Sequence, residues 1–214
     1  MVKVAMTPEE LLSTTRSVRR RLDFDRAVPR ELVIDCLQLA LQAPTGSNRQ
    51  GWQWLIITDP DKKRFIGERY REAWYAYNSS GRAEYPEGDP RREQTSRVVQ
   101  SAKYLADRMG EIPLMVLPCI EGRAEGQSNM AIAALYGSIL PATWSFMLAA
   151  RLRGLGSTYT TLHLKHEEEI ASALGIPYQQ VTQAALLPVA YYTGHDFRPA
   201  ERIPLDSIVH WEVW

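Results

Sequence analysis

Apolar residues along most of the chain recur at the spacing of an amphipathic helix. Between residues 30 and 41, for example, Val33, Leu37, Ala40 and Leu41 fall on one face, as expected of a helix that packs on a core. Thr7-Pro8-Glu9-Glu10 reads as an N-cap with a capping box. The pattern predicts six helices: a short one after Thr7, and others over 30–41, 61–77, 92–109, 128–153 and 167–174.

Three apolar runs lack helical spacing and predict strands, over 53–58, 112–118 and 183–193. The middle run is hydrophobic almost throughout, which is typical of a strand buried on both faces. Helices outnumber strands, and the two kinds do not alternate regularly. This arrangement favours an α+β sandwich over a doubly wound parallel sheet.

The helix predicted over 128–153 is apolar around most of its circumference. Such a helix lies in the centre of a core or at a subunit interface. Pro141 stands in its middle and is expected to kink or split it, because proline lacks the N–H that the helix needs.

Two segments lack regular patterning. Residues 78–90 are rich in Gly, Pro, Ser and Asn, and a loop of that length in a compact domain is a lid or a mobile excursion. Residues 197–214 contain Pro199 and Pro204, which favour an extended C-terminal arm over another surface. With no internal repeat and no clean boundary, residues 1–214 are interpreted as one domain.

Composition narrows the class of protein. The 214 residues include 25 basic and 25 acidic side chains, so no overall charge attracts the chain to nucleic acid or to an anionic membrane. No secretory signal pattern and no apolar run of about 18 residues is evident. Cys36 and Cys119 lie far apart, as expected of buried free thiols, and the predicted compartment is the cytoplasm.

Several common site motifs are absent from the sequence. There is no G-x-x-x-x-G-K-[ST] phosphate loop and no G-x-S-x-G nucleophile motif. Gly154-Leu-Gly156 follows a helix and has Tyr159 where a dinucleotide fingerprint needs glycine. His163 and His166 could form a metal pair on one helical turn, but structural or surface roles are favoured and no metal site is predicted.

Two polar stretches remain as candidate ligand-binding sites. The run Arg16-Ser17-Val18-Arg19-Arg20-Arg21 has four arginines in six residues. It is either a solvated face or a site for a phosphate, which arginine binds bidentately. Residues 43–52, APTGSNRQGW, are either a solvated loop or a turn whose carboxamides read the polar edge of a planar ring. Arginines from both ends of the chain could meet at one phosphate.

Four stretches, in this order, resemble the nitroreductase family of flavoproteins: Arg16-Ser-Val-Arg19, Pro44–Trp52, Ala149–Gly156 and Arg202-Ile-Pro-Leu. The resemblance covers nearly the whole chain. It implies a three-layer α+β sandwich with a central, mostly antiparallel sheet flanked by helices. It also implies an intertwined homodimer with FMN at the interface, contacted by both subunits.

The resemblance also assigns cofactor contacts residue by residue. The N-terminal run would bind the phosphate, ribityl chain and pyrimidine edge, with Arg202 joining at the phosphate. The loop would meet the flavin, in part from the opposite subunit, and residues 159–161 would run along the ring, where a backbone N–H can face N5. The implied set is Arg16, Ser17, Arg19, Arg20, Pro44, Thr45, Ser47, Asn48, Gln50, Tyr159, Thr160, Thr161 and Arg202.

The sequence departs from the family pattern at three places. Gly51 stands where the family often has proline, and Thr45 where serine is frequent. Arg20-Arg21-Leu22 replaces the shorter Arg-Phe of many members, so the choice between Arg19 and Arg20 as the cofactor contact stays open.

The activity implied by the resemblance is a ping-pong transfer of reducing equivalents from NAD(P)H through FMN to a small electron-poor acceptor. Nitroaromatics, quinones and activated alkenes are the acceptor classes. The flavin carries the hydride, so no catalytic side chain is assigned. The alternatives are a flavin-binding protein without turnover, and a specialised relative that breaks down flavin or removes halogen reductively.

Overall fold

A computed structural model of the chain describes residues 4–79, 81 and 85–214. Its helices and strands follow the order predicted from the hydrophobic pattern, with one additional short strand and one division. The helices are α1 (Pro8–Thr14), α2 (Arg30–Ala40), α3 (Pro60–Ser79), α4 (Pro90–Arg108), α5 (Asn129–Arg151) and α6 (Glu167–Leu174). The strands are β1 (Trp52–Ile57), β2 (Leu114–Glu121), β3 (Leu155–Ser157), β4 (Val181–Gln183) and β5 (Leu187–Tyr191).

The five strands form one sheet in which each named pairing is antiparallel. The order is β1-β2-β5-β3, and β4 pairs with the end of β2. Strand β1 runs against β2 with Trp52 opposite Ile120 and Ile57 opposite Met115. The antiparallel sheet flanked by helices confirms the predicted α+β sandwich.

Strand β2 lies at the centre of the sheet and separates two apolar clusters. Leu114 and Val116 point to the side of α2 and α5, whereas Met115 and Leu117 point to the side of α3, α4 and α6. Because successive side chains of a strand alternate between faces, helices cover both sides of this strand. The prediction of a strand buried on both faces is confirmed.

Helix α5 continues through Pro141 as a single helix of 23 residues, so the proline does not split it. Phe146 and Ile139 are buried against the sheet, while Met130, Leu140 and Trp144 stay exposed. In the part of the chain that the structure describes, α5 is the one helix long and apolar enough by composition to cross a bilayer. Its packed inner face is what a core helix also shows.

Local helix signals in the sequence are confirmed in detail. At α1, the Thr7 hydroxyl accepts from the Glu10 amide at 3.1 Å, and the Glu10 carboxylate accepts from the Thr7 amide at 2.7 Å. Helix α6 ends at Gly175, whose φ of 71° is the left-handed conformation that glycine adopts without strain. Cys36 and Cys119 are free and buried.

The strand predicted over 183–193 is divided into β4 and β5. Both pair with β2, but Pro118 of β2 stands between the two pairings and has no N–H to donate. Between the two strands, the Ala184 amide still donates to the Pro118 carbonyl at 2.9 Å, but Leu186 exchanges two backbone hydrogen bonds with Thr160, at 2.8 and 3.2 Å.

Of the segment 78–90, residues 80 and 82–84 lie outside the described part of the chain. The flanking helices reach further into the segment than predicted, to Ser79 and from Pro90. The C-terminal arm includes a short 3-10 turn, Leu205–Ser207, and its residues 201–214 are exposed.

Candidate functional site

A cavity of about 850 Å³ lies between the N-terminal arginine run, helix α4 and the start of the C-terminal arm. We call it the arginine cavity. Residues 16–21 form one wall, α4 forms a second wall, and residues 196–201 form the third. Four of the predicted cofactor residues line it together: Arg16, Ser17, Arg19 and Arg20.

Val18 fixes the arginine run against the sheet. Its amide donates to the Ser157 carbonyl at 2.9 Å, and its carbonyl accepts from the Thr158 hydroxyl at 2.7 Å. The Val18 side chain is buried. The run therefore follows the end of β3 as an extended segment, which holds the backbone of Arg16, Ser17 and Arg19 in place at the cavity wall.

Gly156 makes this close approach possible, and Gly156→Ala is predicted to disturb it. A Cβ at position 156 would lie 2.9 Å from the Cβ of Val18 and 3.1 Å from Leu22 Cδ2. Overpacking of this kind costs about 1–3 kcal/mol. Urea unfolding should show that loss. A Val18→Gly change should cost less in the Gly156→Ala background than in the wild type, because it removes both Val18 atoms that the new Cβ would meet, Cβ at 2.9 Å and Cγ1 at 3.0 Å; equal costs would contradict the prediction.

The arginine cavity is strongly positive. Six arginines and two carboxylates line it, and Arg21 Nη2 pairs with Asp196 Oδ1 at 2.7 Å. Among the described residues, the other five arginines have no ion pair. Burial lowers the pKa of the Arg19 guanidinium, whose one hydrogen bond within the described residues goes to Ser101 Oγ, at 3.4 Å. A half-buried guanidinium without a carboxylate partner is suited to an anionic ligand.

The loop at 44–50 is held in an unusual conformation. Ser47, Asn48 and Gln50 have φ values of 52°, 53° and 52°, in the left-handed region that costs a residue other than glycine about 1–2 kcal/mol. The Gly46 amide donates to Ser138 Oγ at 2.9 Å. Strain of this kind concentrates at binding sites, where the surrounding structure maintains it.

The polar groups of this loop are exposed and point away from the core. Gln50 Nε2 donates to Asn48 Oδ1 at 3.0 Å, and the Gln50 amide donates to Thr45 Oγ1 at 3.3 Å. Trp52 Nε1 donates to the Ser138 carbonyl at 2.7 Å, which anchors the end of the loop on α5. Pro44 and the loop residues do not line the arginine cavity, so one chain does not bring the two predicted groups together.

Residues 159–161 follow Thr158, whose hydroxyl donates to the carbonyl of Val18 in the arginine run. The Thr160 hydroxyl donates to the Leu186 carbonyl at 2.8 Å. Tyr159 donates to the Ala184 carbonyl at 3.3 Å and stays partly exposed. Thr161 lines a second, smaller cavity of about 390 Å³ together with Tyr77 and Lys165.

Arg202 lies on the exposed arm and does not line the arginine cavity. Arg198 does, and its carbonyl accepts from Arg16 Nη1 at 3.3 Å. The role of Arg202 at a phosphate stays a prediction.

His163 and His166, the conceivable metal pair, have different surroundings. His163 is fully buried, and neither of its ring nitrogens has a hydrogen-bond partner within the described residues. His166 lies near Glu169, 3.4 Å from Nδ1 to Oε2. In the described ranges, no group of three or more His, Cys, Asp or Glu could hold a metal ion.

The sequence interpretation missed the wall contributed by α4. Gln94, Arg97, Val98 and Ser101 face the cavity, and their spacing of three and four residues was visible in the sequence. A polar stripe at that spacing resembles a solvated helix face, so only the position of α4 against residues 16–21 distinguishes it.

Comparison with known proteins agrees with this architecture. The sequence profile of the nitroreductase family matches residues 12–191. The chain is 26% identical over 210 residues to the NADH dehydrogenase of Thermus thermophilus, covering 92% of this chain and 91% of that protein. It is 25% identical over 211 residues to human iodotyrosine deiodinase 1, covering 98% of this chain and 70% of that protein.

Among solved structures, a crystal structure of oxidised iodotyrosine deiodinase bound to FMN and 3-iodo-L-tyrosine superposes with a TM-score of 0.72 at 22% identity. The match covers 96% of this chain and 98% of the other. Fold, motif order and family profile agree, and the chain belongs to the nitroreductase family, whose members are generally oxidoreductases.

Proposed function

We propose that the protein is an FMN-dependent oxidoreductase that passes reducing equivalents from NAD(P)H to a small electron-poor acceptor. The observation that carries the proposal is the arginine cavity, where Arg16, Ser17, Arg19 and Arg20 meet around unpaired positive charge. A phosphate there would receive charge-assisted hydrogen bonds worth about 1.5–3 kcal/mol each. When bound, FMN would supply the redox chemistry.

The protein's own residues would bind and orient. Arg16 and Arg19 would hold the phosphate, and Ser17 would add a hydroxyl. The donors of the strained loop would bind the polar edge of the ring and favour negative charge on that side. Thr160 exchanges backbone hydrogen bonds with Leu186, which would keep the backbone N–H groups of Tyr159 and Thr161 at a fixed position along the ring.

We further propose that the working unit is a homodimer. The loop and the arginine cavity do not meet in one chain, so a second copy would bring the loop to the cofactor. Two exposed apolar surfaces support this: Met130, Leu140 and Trp144 on α5, and Trp211 and Trp214 on the arm. Burying such side chains contributes about 25 cal/mol per Å².

In this scheme, the nicotinamide and the acceptor would use the same face of the flavin in turn. This gives ping-pong kinetics without an acid–base pair in the protein. Nitroaromatics, quinones and activated alkenes are the proposed acceptors, and the cytoplasm is the proposed compartment.

The first test is flavin binding and reduction. Purified protein, either as isolated or after FMN addition, is expected to show a flavin absorbance band and a higher unfolding temperature, because a ligand that binds only the folded state stabilises it. Anaerobic NADH or NADPH should bleach that band, and a quinone should restore it. A protein that takes up no FMN would refute the proposal. Uptake without bleaching would leave a flavin-binding protein that does not turn over.

Reductive dehalogenation is the second candidate. It is favoured by the 98% coverage of this chain in the match to human iodotyrosine deiodinase 1. The two candidates differ in product. Anaerobic incubation of reduced holo-protein with a halogenated phenol should release halide in the second case only, while reduction of a nitroaromatic without halide release favours the first.

A further inference from the structure

The arginine cavity holds more positive charge than one phosphate neutralises. After the Arg21–Asp196 pair is set aside, five arginines and Glu201 remain on its walls, among the described residues. A phosphate monoester carries a charge of about −1.5 to −2 at neutral pH. About two positive charges are therefore left when a single phosphate binds at Arg16 and Arg19.

Part of this excess positive charge lies on α4, across the cavity from residues 16–21. Arg97 shares one face of α4 with Gln94, Val98 and Ser101. Ser101 Oγ is the atom that Arg19 Nη1 reaches at 3.4 Å. Arg97 lies one helical turn before Ser101, about 6 Å along the axis. Its guanidinium is therefore attached away from the point where the two walls meet.

Arg97 is exposed on the cavity wall, between a polar and an apolar neighbour of the same helix face. Gln94 Nε2 already donates to Glu201 Oε2, at 3.1 Å, so that carboxylate has a partner. Arg97 has no ion pair within the described residues. Val98 beside it is 49% exposed, and its side chain can contact a flat ring while a guanidinium binds a charge at the ring's edge.

We propose that Arg97 binds a carboxylate or phosphate group of the organic substrate that enters the arginine cavity beside the cofactor. The inference rests on the proposed function for the identity of that molecule as a substrate. Two sources offer this chemistry: an acidic group on the acceptor, and the additional phosphate that distinguishes NADPH from NADH.

The test compares three variants in FMN-loaded protein. Arg97→Gln removes the charge, and Arg97→Lys keeps it. Arg92→Gln is the matched control, because Arg92 is exposed and two residues turn α4 by about 200° away from Gln94 and the cavity. Acceptors are 4-nitrobenzoate and its neutral amide; donors are NADPH and NADH.

For an acidic acceptor, Arg97→Gln is expected to lower kcat/KM for 4-nitrobenzoate about tenfold and to leave the amide within about twofold. If Arg97 instead binds the additional phosphate of NADPH, Arg97→Gln should lower kcat/KM about tenfold for NADPH and leave it unchanged for NADH. Arg97→Lys should recover part of the loss, and Arg92→Gln should match the wild type. Equal effects on both members of both pairs would overturn the inference.

Calorimetry separates this inference from the proposed function. Benzoate against benzamide, and adenosine 2′-monophosphate against adenosine, are titrated into the protein as purified. Weaker binding of one anionic probe to Arg97→Gln supports the anion site even if FMN is not taken up. Binding of both anions unchanged by Arg97→Gln, or no binding of either, overturns the inference even in a protein that reduces quinones.

Discussion

Between pH 7 and pH 5, wild-type protein is expected to lose about 2 kcal/mol more of its free energy of unfolding than a His163→Leu variant. Burial lowers the pKa of His163 from 6.5 to about 3. The unfolded chain takes up a proton at this site below pH 6.5, while the folded chain stays neutral until about pH 3. Stability therefore falls as the pH is lowered through that window.

Urea titrations at the two pH values measure the difference. At pH 7 the leucine variant should be near wild-type stability or above it, because both buried ring nitrogens lack partners among the described residues. Ile170→Val is the control: it removes a buried methyl group from α6 but no titrating side chain, so it should keep the wild-type pH slope. A leucine variant with that slope would contradict the prediction.

His163 lies close to the candidate site. It stands two residues after Thr161, in the 3-10 turn Leu162–His166 that precedes α6. Because the folded chain keeps this imidazole neutral down to about pH 3, no charge enters the core at this position between pH 7 and pH 5. His163 should therefore leave the FMN affinity of the folded protein unchanged over that window, while the free energy of unfolding falls.

Much of the fold could be predicted because local and tertiary signals agree. The hydrophobic run of β2 required helices on both sides, and α2, α5, α3 and α4 supply them. The end of α6 at Gly175 needed no tertiary information. The division between β4 and β5 could not be read locally, since it depends on Pro118 of the opposite strand.

The grouping of the candidate site was predictable only in part. A run of arginines beside a serine indicates anion chemistry wherever it lies, and the structure places Arg16, Ser17, Arg19 and Arg20 in one cavity. The contribution of Arg97 could not be predicted, because it depends on which face of α4 lies towards residues 16–21. The left-handed conformation of Asn48 and Gln50 could not be predicted, because neither position is a glycine and the surrounding structure maintains the conformation.

A double change of Arg16 and Arg19 to Gln is expected to raise the Kd for FMN about 100- to 1,000-fold. Each guanidinium would supply charge-assisted hydrogen bonds to one phosphate, and their loss in a partly buried site is not replaced by water. Fluorescence quenching of FMN measures the change. Arg21→Gln is the matched control, because its charge belongs to the same run but is already paired with Asp196.

Two single variants, Arg198→Gln and Arg202→Gln, decide between the two arginines of the arm. Arg198 lines the cavity of its own chain, whereas Arg202 stands exposed beyond it and could reach a phosphate only in another arrangement of the arm or in a second copy. Arg202→Gln should raise the FMN Kd about tenfold if the arm crosses to a partner, and dilution to monomer should then abolish that difference. Unchanged affinity in Arg202→Gln, with a loss in Arg198→Gln, would assign the phosphate contact to Arg198 within one chain.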